Sequence, residues 1–76
     1  MRQEILEILY ETNEELELYN GIDMIEDMVI DSHDIFNIVV ELEEHFKIEI
    51  SPELIVPDNF KNVDTIMKMV ELIQNI

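Results

Sequence analysis

Ser32 stands between Asp31 and His33-Asp34, so a hydroxyl, two carboxylates and an imidazole occur within four consecutive positions. Hydrolytic use of these groups needs a nucleophile, a base and oxyanion donors that converge in space. On a helix, neighbouring side chains diverge by roughly 100° per residue, so His33 is not aimed at Ser32. A small serine hydrolase is therefore the weakest of three functional readings. No group is thereby placed as its general base, and no metal cage or phosphate cradle lies close by in sequence. A serine presented in this way is expected to be a substrate for covalent modification rather than a nucleophile acting alone. His33 is then a solvated side chain or a partner contact. His45, further along, is a favourable charge near a helix C-terminus when protonated.

Other chemistry is sparse. Glu26, Asp27, Asp31 and Asp34 are close in sequence, but the alternating Asp spacing and glycine of a calcium loop are absent. Weak surface association of divalent cations is expected, and a dedicated metal site is not. Met24, Met28, Met67 and Met69 are expected to fill gaps in the core, with an adaptable interior for apolar cargo as the sharper alternative.

The elements that position Ser32 are helical. Ile5, Ile8 and Leu9 make one apolar stripe with Glu4, Glu7 and Glu11 opposite, which predicts a short helix from Arg2 to about Tyr10, weakened by Thr12-Asn13. Between Asn13 and Ile30 the helical period is lost, and Asn20-Gly21 is the clearest turn signal. Leu16 and Leu18 alternate as in a strand, but their one possible mate is residues 47–50, and two such pieces make a marginal sheet. A long ordered loop is expected instead, pinned by Leu16, Leu18, Ile22, Ile25 and some of Met28, Val29 and Ile30. Asp31 is a good N-cap for a second helix running from Asp31-Ser32 to about Phe46, and Asp34 complements its positive end. Ile35, Ile38, Val39, Leu42 and Phe46 lie along its main stripe. Phe36 and Val40 form a second stripe that is expected to contribute an exposed patch. Ser51-Pro52 and Pro57 to Phe60 predict two short turns, the first a turn of helix from Glu53 to Ile55 and the second anchored by Phe60. Asn62 caps a last helix whose Val63, Ile66, Met67, Val70 and Ile73 share a face. The predicted fold is a small all-α bundle of three to four helices, with a long loop between helices 1 and 2.

Bulk composition narrows the function classes. Seventy-six residues, 47% of them hydrophobic, with no Cys, no Trp, one Gly and two Pro, predict one domain over 1–76 that folds without disulfides. A chain of this size buries only roughly 60–65% of its unfolded surface, which leaves little room for an enclosed catalytic cleft. Nineteen acidic residues against four basic ones give a formal net charge of −15. That balance disfavours nucleic acid and anionic membranes, whose affinity comes from Lys and Arg. It favours a partner with a basic surface. No signal peptide or membrane-spanning segment is legible, so a cytoplasmic, monomeric protein without membrane insertion is expected. The charge also supports a second reading, a non-covalent acidic module that inhibits a basic protein or mimics nucleic acid.

The run Ile25-x-x-x-x-Ile30-Asp31-Ser32-x-x-Ile35, followed by an acidic helix closing on Glu41-Leu-Glu-Glu-His-Phe-Lys-Ile-Glu-Ile50, resembles the acyl and peptidyl carrier protein family. The similarity continues through Pro57, Phe60 and Val63 and covers essentially the whole chain. The resemblance implies that Ser32, in its Asp31-Ser32 motif, is esterified with 4′-phosphopantetheine taken from coenzyme A by a phosphopantetheinyl transferase. It implies a carrier of acyl or aminoacyl thioesters, not an enzyme. It also implies that an activating ligase and acyl-transferring enzymes dock through basic surfaces on His33, Asp34, Phe36, Val40, Glu41, Glu43 and Glu44. Ile38, Val39 and Leu42 would line an interior that shelters an acyl chain, as in carriers of fatty acid biosynthesis. Two features depart from the family pattern: Met28, Val29 and Ile30 occupy an approach where many relatives have Gly, and His33 replaces a common Leu. The Ile-Asp-Ser form, the shortened N-terminal part and Ile55-Val-Pro-Asp-Asn-Phe60 look more like stand-alone carriers served by amino-acid-activating ligases, including D-alanyl carrier proteins.

Overall fold

A computed structural model describes residues 1–75. Three α-helices form, α1 (Arg2–Thr12), α2 (Ser32–Phe46) and α3 (Val63–Gln74), joined by three short 3₁₀ turns at Glu14–Glu17, Pro52–Leu54 and Pro57–Asn59. Among the described residues there is no strand, so the small all-helical bundle is as expected. The predicted turn of helix near Glu53 is a 3₁₀ turn, and Pro opens both it and the next one because each starts where a backbone N–H would be free anyway.

Local chemistry explains where the helices end. Asn13 leaves α1 in an extended conformation (φ −150°, ψ 106°) and caps the next turn, its Oδ1 accepting from Glu15 N at 3.0 Å. Its Nδ2 donates to Val29 O at 2.9 Å, which ties the two ends of the loop together. Asn62 caps α3 reciprocally: Thr65 N donates to its Oδ1 at 3.0 Å, and Thr65 Oγ1 accepts from its backbone N–H at 3.2 Å. Helix α1 packs against both α2 and α3. One apolar core joins them, with Phe60, Ile5, Ile38, Leu42, Ile66 and Val70 fully buried and, among the described residues, no polar side chain buried with them. The radius of gyration, 11.3 Å, agrees with the ~11 Å of a close-packed chain of this length.

Three expectations for the loop need correction. Leu16 is buried, but Leu18 is 91% exposed and Ile22 83% exposed. Alternation put Leu16 and Leu18 on one side; a 3₁₀ turn of three residues per turn places them on different sides. Ile22 contributes its carbonyl instead, accepting from Asn62 Nδ2 at 2.8 Å. Met28, expected in the core, is 90% exposed. Met24 takes the central place, 3% exposed, its N–H bonded to Lys61 O at 2.6 Å at the approach to α3. On α3, Met69 is buried with Ile66 and Val70, while Met67 is only partly covered. No helix of the described residues is long and apolar enough to cross a membrane.

Candidate functional site

Ser32 is the first residue of α2 and is exposed. Its neighbours hold the helix end. Asp31 Oδ1 accepts from Asp34 N at 3.0 Å, and Asp34 Oδ2 accepts from Asp31 N at 3.3 Å, a reciprocal capping box. Both carboxylates thus bond backbone amides rather than the serine. His33 is exposed. His45 lies roughly 20 Å further along the helix axis, where its Nε2 is 2.7 Å from Glu4 Oε2 on α1. The groups around Ser32 do not assemble a triad. Among the described residues, no three His, Asp or Glu side chains come together as a metal site.

What does converge at Ser32 is apolar. A groove of about 500 Å³ runs between α2 and residues 50–57. Ile35, Phe36 and Val39 of α2 form one wall, and Ile50, Ile55, Val56 and Pro57 form the other. Ser32 sits at one end and Glu43 at the other. The spacing 32, 35, 36, 39, 43 follows the helical period, so the serine shares the face that lines the groove over about 16 Å of axis. Glu43 Oε2 accepts from Ile50 N at 2.9 Å and links the two walls at that far end.

These positions redistribute the residues expected to act. Ile38, Val39 and Leu42, expected to line an interior, are all buried; Val39 also lines the groove, whereas Ile38 and Leu42 lie in the shared core. Glu43 is half-buried in the groove, away from the exposed Glu41 and Glu44. Phe36 is 64% exposed and Val40 partly so. Both also border a recess of about 340 Å³ with Glu41 of α2 and Glu11 and Thr12 of α1, so Phe36 forms a ridge between two hollows. The wall contributed by Ile50, Ile55 and Val56 was missed in sequence. Its signal was an Ile-Val pair between two proline-opened turns, too short a segment to bury both side chains; they remain 39% and 40% exposed.

The loop before Ser32 is held by Tyr19. Its hydroxyl donates to Asp27 Oδ2 at 2.6 Å and accepts from Asp23 N at 3.0 Å. Partial desolvation, then the Asp27 hydrogen bond, push its phenol above the usual value. Gly21 leaves room for this contact: a Cβ there would displace the Tyr19 hydroxyl and the Asp27 carboxylate. No family model, curated protein or solved structure matches this chain.

Proposed function

We propose that the protein is a carrier that bears acyl or aminoacyl groups on a 4′-phosphopantetheine arm attached to Ser32. The observation that supports this most directly is an exposed serine at the first turn of a helix, opening onto an apolar groove of about 500 Å³. The residues present suit such an arm. The Ser32 hydroxyl is reachable, free N–H groups at a helix start favour a phosphodiester, and the groove wall offers apolar cover to what the arm carries. The terminal thiol of the arm supplies the thioester chemistry. In attachment, Ser32 Oγ forms the new P–O bond and the diphosphate of coenzyme A is cleaved. Adenosine 3′,5′-bisphosphate leaves, and the serine proton passes to a base on the transferase.

The chain's own residues then have separable roles. Asp31 and Asp34 fix the helix start under Ser32. Glu41 and Glu44, exposed on α2, offer an acidic rim to basic partners: the transferase, an activating ligase and acyl-transferring enzymes. Residence in the cytoplasm belongs to the same proposal. Intact-mass measurement after incubation with coenzyme A, magnesium and a broad-specificity phosphopantetheinyl transferase tests it. The expected result is a gain of one arm, mapped to Ser32 by fragmentation and lost in a folded Ser32→Ala variant. No gain, with a control carrier modified in the same tube, would turn the reading toward the non-covalent acidic module that the −15 charge also supports. That module predicts partner binding that survives Ser32→Ala and is lost on charge reversal at Glu41 and Glu44.

A further inference from the structure

Residues 23–28 form one helical turn, closed at both ends. Asp23 Oδ1 accepts from Ile25 N at 3.1 Å and Glu26 N at 2.9 Å, and Asp27 N returns to Asp23 O at 3.0 Å. Met28 then turns left-handed (φ 59°), and Val29 N reaches back to Met24 O at 2.9 Å. This is the position just past a helix end where glycine is the usual residue, because a Cβ in that conformation crowds the following carbonyl. Lys47 (φ 56°) ends α2 in the same way, with Ile48 N bonded to Glu43 O at 3.2 Å. Met is therefore an unfavourable choice at position 28, and no packing inside the fold offsets it. The side chain is 90% exposed, whereas Met24 and Met69 are each 3% exposed. A long apolar side chain held in solvent by a turn that prefers glycine marks a contact made outside the chain.

Its place in the chain indicates the partner. Met28 lies four positions before Ser32, at most about 14 Å between Cα atoms. A standard interface covers about 800 Å² of each partner, a disc of roughly 16 Å radius. An enzyme seated over the Ser32 hydroxyl therefore has Met28 within the reach of its footprint. Phe36, the other strongly exposed apolar side chain near the serine, lies one helical turn beyond it. Exposed Glu26, Asp27 and Asp31 surround the segment with negative charge.

We propose that Met28 is an apolar anchor in the docking surface for the enzyme that modifies Ser32, a partner with an apolar socket and a basic rim. This rests on the carrier reading above. The test is the kinetics of arm transfer from coenzyme A by a broad-specificity phosphopantetheinyl transferase to wild type, Met28→Gly, Met28→Asn and Met28→Leu. Gly and Asn suit the left-handed backbone and remove the anchor, whereas Leu keeps an apolar side chain. The Gly and Asn variants are expected to melt no lower than wild type, yet to lose about tenfold in kcat/KM, carried by KM. Met28→Leu should stay within about twofold of wild type. Equal kcat/KM in all four, with Ser32 modified, overturns the anchor and leaves the carrier standing. A loss carried by kcat alone also overturns it, because that reports mispositioned chemistry. No modification in any of the four, beside a modified control carrier, overturns both.

Discussion

At the scale of single residues, Glu4 shows how one carboxylate joins distant parts of the chain. It accepts a hydrogen bond from His45 at the end of α2 and pairs with the N-terminal amine at 3.1 Å. The His45 bond, then the amine, hold its carboxyl below the usual value of 4.5. A lowered folded-state value means stabilisation that is fully present above about 4.5 and is lost as pH falls through the folded value. The difference in urea midpoint between wild type and Glu4→Gln is therefore expected to shrink as pH drops below 4.5. A difference that stays constant from pH 6 to pH 3 would contradict the pairing. The dipole argument accounts for a histidine in the last turn of α2, but its partner is 41 positions away, and no local pattern points to Glu4.

At the scale of elements, short segments matter as much as helices. Phe60 closes the Pro57–Asn59 turn and is fully buried among the helices, whereas Phe36 on α2 is 64% exposed. Truncating the first leaves a cavity that the fold cannot fill; truncating the second removes a solvated ridge. Phe60→Ala is expected to cost about 3–5 kcal/mol, a large part of the ~5–15 kcal/mol typical of a domain. Phe36→Ala should stay within about 0.5 kcal/mol. Urea unfolding followed by far-ultraviolet circular dichroism checks both, and the reverse order would refute this assignment of burial. The turn signal at Pro57 was legible, and so was Phe60 as its anchor. The role of the adjoining Ile55 and Val56 as a groove wall was not, because it depends on α2 lying opposite.

For the whole molecule, the net charge of −15 is spread over a body of 32 × 22 × 19 Å. Screening lengths run from about the size of the molecule to far below it: about 30 Å at 0.01 M salt and about 3 Å at 1 M. At low salt, like charges on opposite faces still repel; at high salt, only near neighbours do. The thermal midpoint is therefore expected to rise with sodium chloride, and to rise less in a Glu41→Gln, Glu44→Gln double variant. A midpoint that falls over this range would show that attractive pairs, such as Arg2 with Asp64, outweigh the repulsion. Within the carrier reading, the same field should make arm transfer fall with salt, since it steers encounter with a basic partner.

What the sequence determined by itself is whatever a few neighbouring residues decide together. The Asp31 and Asn62 caps, the proline-opened turns and the apolar periodicity set the extents of α1 and α2 and the start of α3 within two residues, because capping and helix propagation are local. They also left Ser32 at an exposed helix start. Tertiary structure decided the phase of every residue without a period. It turned Leu18, Ile22 and Met28 outward. The groove at Ser32 exists only where residues 50–57 face α2, and such a pairing is settled by burying apolar surface across the whole chain, which no short window of sequence contains.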